Sequence, residues 1–360
     1  MTVMKGMKGL ILAGGLGSRL RPFSHSMPKQ LIPIANRPVL VHVIESLRDL
    51  GVTDIGVIVA PRSGEIEEAL GDGAQFGVRL SYIPQAQPRG LAHCVMLARD
   101  FLGDDDFVMY LGDNMLTDGV RDIAEDFRTH RPAAQIVVHK VVDPSEFGVA
   151  EVDAEGRVLR LVEKPREPAG NLAVIGVYFF TAAVHAAVDA ITPSARGELE
   201  ITDALQWLVE HGADVRARTY EGFWRDTGRV EDVLECNSEL LKGLQGAVHG
   251  EVDADSELIG AVVVEAGARI VRSRVVGPVI VGAGSVVEDC SIGPCTTIGP
   301  RCRLRSSEME HTIVLEAASV TGVGTVRGSV IGRQATVTSA VAPGWHRLLV
   351  GDHASVEVAA

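Results

Sequence analysis

An open, mostly parallel α/β sheet followed by a left-handed parallel β-helix is the fold that this 360-residue sequence predicts. Three observations carry it. Short continuous apolar runs alternate with helical periodicity through the first part of the chain, which is the texture of a buried parallel sheet. The first run breaks into glycines at Gly14-Gly15-Leu16-Gly17. From about Gly250 onward helical periodicity stops, and short β-branched segments punctuated by glycine take over.

Lys8–Leu12, Ile55–Ala60, Arg79–Ile83, Phe107–Leu111 and Gln135–Lys140 read as strands, and Val39–Leu50, Glu65–Leu70, Ala92–Phe101 and Val120–His130 as helices. This order implies a Rossmann-like sheet with helices on both faces. Ligands of such sheets bind beyond the carboxyl ends of the strands, where Gly14–Arg19 and Gly112–Asn114 fall. Leu172–Phe180 reads as a buried strand leading into a helix with Thr181 as its cap, and Val230–Leu244 as a further helix. The expected domains are therefore 1–245 and 246–360.

In the second domain Ile280, Val286, Ile292, Ile298 and Leu304 are six apart, the repeat of a left-handed β-helix. The frame slips by one residue between Val281-Gly282 and Ile292-Gly293, so an irregular β-sandwich is the alternative. Flat aliphatic flanks of a β-helix pack around symmetry axes, which predicts a homo-oligomer, a trimer or tetramer.

Composition excludes several functions. A net charge of −13 argues against a nucleic-acid-binding face, which needs clustered Lys and Arg. Five cysteines without a Cys-x-x-Cys pair indicate neither a disulfide framework nor zinc, and fit a reducing cytoplasm. The apolar run after Lys5 and Lys8 opens straight into the glycine loop and is no signal peptide, though Met1, Met4 and Met7 leave the natural start open. Leu172–Val188 is interrupted by Thr181 and His185, so no membrane span is expected.

The glycine loop carries chemistry because glycines let backbone N–H groups converge on phosphate oxygens, and Arg19 and Lys29 follow to balance the charge. A dinucleotide fingerprint needs glycine at Leu20, and a Walker A loop needs Lys-Ser/Thr after its last glycine, so both are excluded. Asp113 follows an apolar strand in Leu111-Gly112-Asp113-Asn114, and Asp226 sits in Trp224-Arg225-Asp226-Thr227-Gly228. Two such carboxylates suit Mg²⁺, with water and phosphate completing its shell. Glu163-Lys164-Pro165 offers a carboxylate for a sugar hydroxyl and an ammonium for a phosphate; a solvated surface pair is the alternative. Gln85, with Pro88-Arg89-Gly90-Leu91 behind it, offers an amide and bare backbone to the edge of a pyrimidine.

In this order, and with Phe147-Gly148-Val149 and Arg196-Gly197-Glu198-Leu199-Glu200-Ile201-Thr202-Asp203 between them, these segments resemble the sugar-1-phosphate nucleotidylyltransferases, in particular those that make dTDP-glucose. The β-helix looks like that of the long form found in deoxysugar and antibiotic pathways. The resemblance implies that Leu12, Gly14, Gly15, Gly17, Ser18, Arg19 and Lys29 hold the nucleotide triphosphate, with Gln85, Gly90 and Leu91 at thymine. It further implies Mg²⁺ on Asp113 and Asp226, and glucose 1-phosphate on Gly148, Glu163, Lys164, Val174 and Arg196. Catalysis would rest on Arg19, Lys29, Asp113, Lys164 and Asp226, with dTTP and glucose 1-phosphate as substrates.

Phe147 departs from the family's usual tyrosine and Arg89 from its usual aspartate, which leaves the hexose and the nucleotide, UTP, ATP or GTP included, open. Two other readings compete: an acyltransferase using His311, His346 or His353 as base, and a non-catalytic regulatory subunit. The intact Arg19, Lys29, Asp113, Lys164 and Asp226 set argues against the latter.

Overall fold

The structure, a computed structural model, describes residues 6–15, 17–61, 64–339, 345–346 and 348–358. Met1, Met4, Leu16 and the side chain of His346 lie outside the described residues. The chain packs as two units, Met1–Gly15 with Leu40–Trp224, and Leu16–Val39 with Arg225–Ala360. This division differs from the sequential one expected at 245, because residues 16–39 pack with the C-terminal part.

The first unit is built on a nine-stranded sheet. Its strands are β1 (Lys8–Leu12), β2 (Asp54–Val59), β3 (Arg79–Pro84), β4 (Phe107–Leu111), β5 (Ala134–Lys140), β6 (Gly148–Val152), β7 (Val158–Glu163), β8 (Leu172–Phe180) and β9 (Val215–Thr219). Their order is β7-β6-β8-β4-β1-β2-β3, with β5 on β8 and β9 on β5. The four strands β4-β1-β2-β3 are parallel, and β8 joins them antiparallel. The register Leu12↔Leu111 ends β1 and β4 side by side, so the two loops that follow emerge together. Continuous apolar runs make these strands because both faces of a central parallel strand are buried, as at Leu10, Val57 and Val108.

Most helices begin and end within a residue or two of expectation. The stretch Ala92–Phe101, expected as one helix, forms two, Leu91–Leu97 and Arg99–Leu102, with Ala98 between them. Arg99 there turns to the helix Val184–Ala190, donating to His185 O at 3.1 Å and Asp189 Oδ2 at 2.8 Å. Thr181 is not the cap of that helix; its hydroxyl accepts the Ala183 N–H at 3.4 Å, one turn ahead. Among the described residues no helix is long and apolar enough to cross a membrane.

In the second unit every ladder of the C-terminal strands is parallel, as a β-helix requires and a β-sandwich does not. Val262 pairs with Val279 and Val279 with Thr296, while Arg269 pairs with Val286 and Val286 with Arg303, so these first coils take 17 residues each; further on the length varies, with Ile298 pairing Val314 and Ile331 pairing Val350. Three faces of six would need 18. One corner is a residue tighter, and the buried positions run Val264, Ile270, Val275, Val281, Val287, Ile292, Ile298 and Leu304, in steps of six, five, six, six, five, six and six. The six-residue frame through Ile280 and Val286 is thus one residue out of phase before Ile292; Val281 and Val287 are the fully buried pair.

Corners cost hydrogen bonds, and buried hydroxyls replace them. The N–H of Cys290 donates to Ser273 Oγ at 3.0 Å, Cys302 to Ser285 at 2.8 Å, and Val323 to Ser307 at 3.2 Å. Ser285 is fully buried, so truncating it leaves the Cys302 N–H without its acceptor. Ser285→Ala is expected to lower stability by about 1–3 kcal/mol in denaturant unfolding. Arg274→Ala, at an exposed site, is expected to change it by less than about 0.5 kcal/mol; equal effects of the two variants would contradict the role given to the hydroxyl.

Candidate active site

Each unit carries part of the machinery expected from the sequence. In the second unit Gly17, at φ +63, caps the short helix Ser18–Leu20, and Ser24 Oγ donates to its carbonyl at 2.6 Å. A Cβ at Gly17 would lie 2.8 Å from Lys29 Cβ, so the loop presses directly on the lysine stem. Gly228 does the same for the arginine: its Cβ would lie 3.1 Å from Arg19 Nη2 and 3.3 Å from Asp226 Oδ1. Arg19 Nη2 stands 3.7 Å from Asp226 Oδ2, and the arginine is half exposed. Arg19, Lys29 and Asp226 are therefore held by two glycines that leave no room for a side chain. Ser18 is exposed at the start of the short helix.

In the first unit Ala13–Gly15 leave the end of β1 beside Gly112, whose N–H donates to Leu12 O at 2.9 Å. The Leu12 side chain is buried in the core, so this residue offers the site its backbone only. Gln85, buried just after β3, donates its Nε2 to Cys94 Sγ and His93 Nδ1, each at 3.2 Å. Burial, and then the charge of Arg89, hold His93 below the usual histidine value, which favours the neutral ring; as the amide N–H donates, Nδ1 is the acceptor in this contact. With the amide nitrogen occupied, Oε1 is turned toward Gly14, where a Cβ would lie 3.0 Å away. What Gln85 presents is an acceptor. Gly90, at φ +101, opens the helix Leu91–Leu97; a Cβ there would lie 2.3 Å from Leu199 O.

Asp113 is oriented by a buried amide that the sequence reading left without a role. Asn114 Nδ2 donates to Asp113 Oδ1 at 3.1 Å, while Asn114 Oδ1 accepts from Trp224 Nε1 at 2.7 Å and Gly176 N at 3.3 Å. Gly176 is glycine because a Cβ would lie 2.6 Å from Asn114 Cγ. Phe147 packs edge-on against Trp224, ring centroids 5.3 Å apart, so its ring serves the same support.

The third group centres on Glu163. Its Oε2 accepts from Thr202 Oγ1 at 3.0 Å and its Oε1 from Arg196 Nη1 at 3.2 Å; Arg196 also binds Glu198 at 3.0 Å and faces Glu200 at 3.7 Å. Burial pushes the carboxyls of Glu200 and Asp203 up, and the negative Glu163 adds to both. Gly148 borders this cluster: a Cβ there would lie 2.6 Å from Thr202 Cγ2, 3.3 Å from Glu163 Oε2 and 3.7 Å from Val174 Cβ. Lys164 takes φ +41, with its N–H on Phe147 O at 3.0 Å, and this kink turns Glu163 and the exposed Lys164 ammonium apart. Glu163, Gly148, Val174 and Arg196 are thus brought together, and Lys164 adjoins them through its backbone.

The histidines of the competing acyltransferase reading sit elsewhere. His311 and His353 occupy left-handed corners of the β-helix at φ +47 and +58, and His311 Nδ1 is bonded to Ser238 Oγ at 3.0 Å. Among the described residues no cluster of three or more His, Cys, Asp or Glu forms a metal cage. Asp113 in the first unit and Asp226 in the second are each partly exposed carboxylates, hard oxygen donors of the type that Mg²⁺ takes one or two of.

The family model described as nucleotidyl transferase matches residues 8–243. A glucose-1-phosphate thymidylyltransferase of Streptomyces antibioticus is 51% identical over 98% of this chain and 99% of its own. A low-salt glycan biosynthesis nucleotidyltransferase of Haloferax volcanii is 43% identical over 98% of this chain and 100% of its own. A solved structure from Bacillus anthracis, in complex with a sucrose, is 35% identical at a TM-score of 0.62, covering 67% of this chain and 98% of its own.

Asn114→Ala removes the donor to Asp113 and the amide oxygen that accepts from the buried Trp224 indole N–H. Expected is a loss of about 1–3 kcal/mol in stability together with a fall in kcat larger than that of Phe147→Leu. Stability and kcat both unchanged would contradict the role given to Asn114.

Proposed function

The chain belongs to the nucleotidyl transferase family, and from that premise we propose that it makes dTDP-glucose and pyrophosphate from dTTP and α-D-glucose 1-phosphate. The observation that carries the base assignment is the locked amide of Gln85, whose outward Oε1 suits the N3–H of a thymine. Cytosine offers an acceptor at that position and is disfavoured.

The reaction is an in-line displacement. An oxygen of the sugar phosphate attacks the α-phosphorus of dTTP; the new O–P bond forms as the α–β bridging P–O bond breaks, and the electron pair leaves with pyrophosphate. No protein nucleophile is needed, so positioning and charge neutralisation supply the rate. Lys164 aligns the attacking phosphate, and Glu163 and Gly148 with Val174 receive the sugar. Arg196, already engaged by Glu163, Glu198 and Glu200, serves the sugar-phosphate side mainly by holding Glu163 in place. Gly14, Gly15, Gly17 and Ser18 offer backbone and hydroxyl donors to the triphosphate, while Arg19 and Lys29 balance the charge that builds on the leaving group. Gly90 and Leu91 border the base. Asp113 and Asp226 are the proposed Mg²⁺ ligands; the bound ion would neutralise phosphate charge.

All five cysteines are free thiols, which supports a reducing, cytoplasmic setting. The β-helix flanks support a homo-oligomer, trimer or tetramer, as the working assembly; a monomer mass in light scattering would contradict it.

Pyrophosphate release across a grid of nucleoside triphosphates and hexose 1-phosphates tests the substrate assignment. dTTP with glucose 1-phosphate is expected to give the highest kcat/KM, CTP the lowest among pyrimidines. Asp113→Ala and Asp226→Ala are each expected to lower turnover by about 100-fold or more at saturating Mg²⁺. A best pair outside dTTP and glucose 1-phosphate would overturn the substrate reading, and near-normal turnover in both variants the metal assignment.

A further inference from the structure

Residues 17–36, which carry Arg19 and Lys29, are fastened to the β-helix at two places within the second unit. The first is the hairpin turn Ala35-Asn36, where both residues are left-handed at φ +50 and +60. Asn237, fully buried on the helix Val230–Lys242, accepts the Ala35 N–H at 2.9 Å and the Thr297 hydroxyl at 3.2 Å on one amide oxygen. Its Nδ2 donates to Cys295 O at 3.3 Å. Asn36 Nδ2 adds a direct bond to Ile298 O at 2.8 Å. One coil of the β-helix thus grips the turn that follows Lys29.

The second place lies between the two cations. The Asp352 carboxylate, with no exposed side-chain surface, accepts from Ser26 Oγ at 2.7 Å and from Arg333 Nε at 2.8 Å, and its other oxygen accepts the Arg333 N–H at 2.7 Å. Arg333 Nη2 in turn donates to Ser26 O at 2.6 Å. A Cβ at Gly351 would lie 3.1 Å from Pro22 Cβ, so the Gly351 backbone lies close against the proline ring. An ion pair whose carboxylate is wholly buried and bonded through both oxygens holds geometry more than it adds stability.

We propose that the β-helix is a clamp for the triphosphate-binding segment, with Asn237, Asn36 and the Arg333–Asp352 pair as positioning residues that hold Arg19 and Lys29 ready before nucleotide arrives. This rests on the reading of Arg19 and Lys29 as triphosphate ligands. Preorganised cations bind without first being ordered, so loosening the clamp weakens nucleotide binding and leaves the sugar phosphate untouched. The C-terminal domain then serves chemistry as well as assembly, whereas an assembly domain alone makes no demand on Ser26 or Asn36.

The test uses the full chain. Asn36→Gly keeps the left-handed backbone and removes only the amide, Ser26→Ala removes only the hydroxyl, and the two are combined; Asn237→Ala is made beside them. In the combined variant the KM for dTTP is expected to rise about tenfold while that for glucose 1-phosphate stays within about twofold. Amide exchange across residues 20–36 is expected to quicken, with the β-helix amides unchanged. An unchanged dTTP KM, or equal changes toward both substrates, overturns the clamp. Arg19→Ala separates the two claims. If it weakens dTTP binding and the clamp variants do not, only the clamp fails; if it leaves dTTP binding intact, the ligand reading fails and takes the clamp's catalytic role with it.

Discussion

A polyphosphate can be gripped by a short loop only if the cations beside it are fixed without a side chain in the way, and the second unit meets this at Gly17. There φ is +63 and a Cβ would lie 2.8 Å from that of Lys29, so any other residue strains the backbone and displaces the lysine together. Gly228 sets the same limit beside Arg19 and Asp226. The short helix Ser18–Leu20 starts at Gly17, and the hairpin after Lys29 is bonded in turn to Asn237 and to Ile298 of the β-helix.

The same means recurs in the first unit with neutral groups. Asn114 and Gln85 are buried amides with their donors and acceptors assigned by neighbours, and each presents one defined face: Asn114 a donor to Asp113, Gln85 an acceptor near Gly14. A buried amide with every partner fixed cannot flip without losing bonds that water does not replace. Orientation is thereby set by the fold before any ligand binds, which is what a reaction run by positioning requires.

Much of this was legible in the residues. The strands were, because runs such as Lys8–Leu12 and Phe107–Leu111 are apolar on both faces and are followed within two residues by glycine. So was a glycine turn beside the cations, since Gly17 takes φ +63 and lies against the Lys29 stem. The coil length was not: a 17-residue coil breaks a six-residue frame at one corner, and the pattern reads as noise until the register Val262↔Val279 is seen. Nor were Asn237, Trp224 or Asp352, since a buried amide, indole or carboxylate is recognised by its partners, which lie 60 residues off in Thr297, 110 in Asn114 and 326 in Ser26. The break at Ala98 was not legible either; the partner of Arg99 just after it, Asp189, lies 90 residues away.

The proposed reaction divides labour between two cations, with Arg19 on the nucleotide and Lys164 on the sugar phosphate. Titration calorimetry with dTTP and Mg²⁺ on the intact chain, Arg19→Ala and Lys164→Ala tests it directly. Arg19→Ala is expected to weaken dTTP about tenfold or more, and Lys164→Ala to leave it within about twofold while raising the KM for glucose 1-phosphate. Loss of dTTP binding in Lys164→Ala, with none in Arg19→Ala, would contradict the assignment.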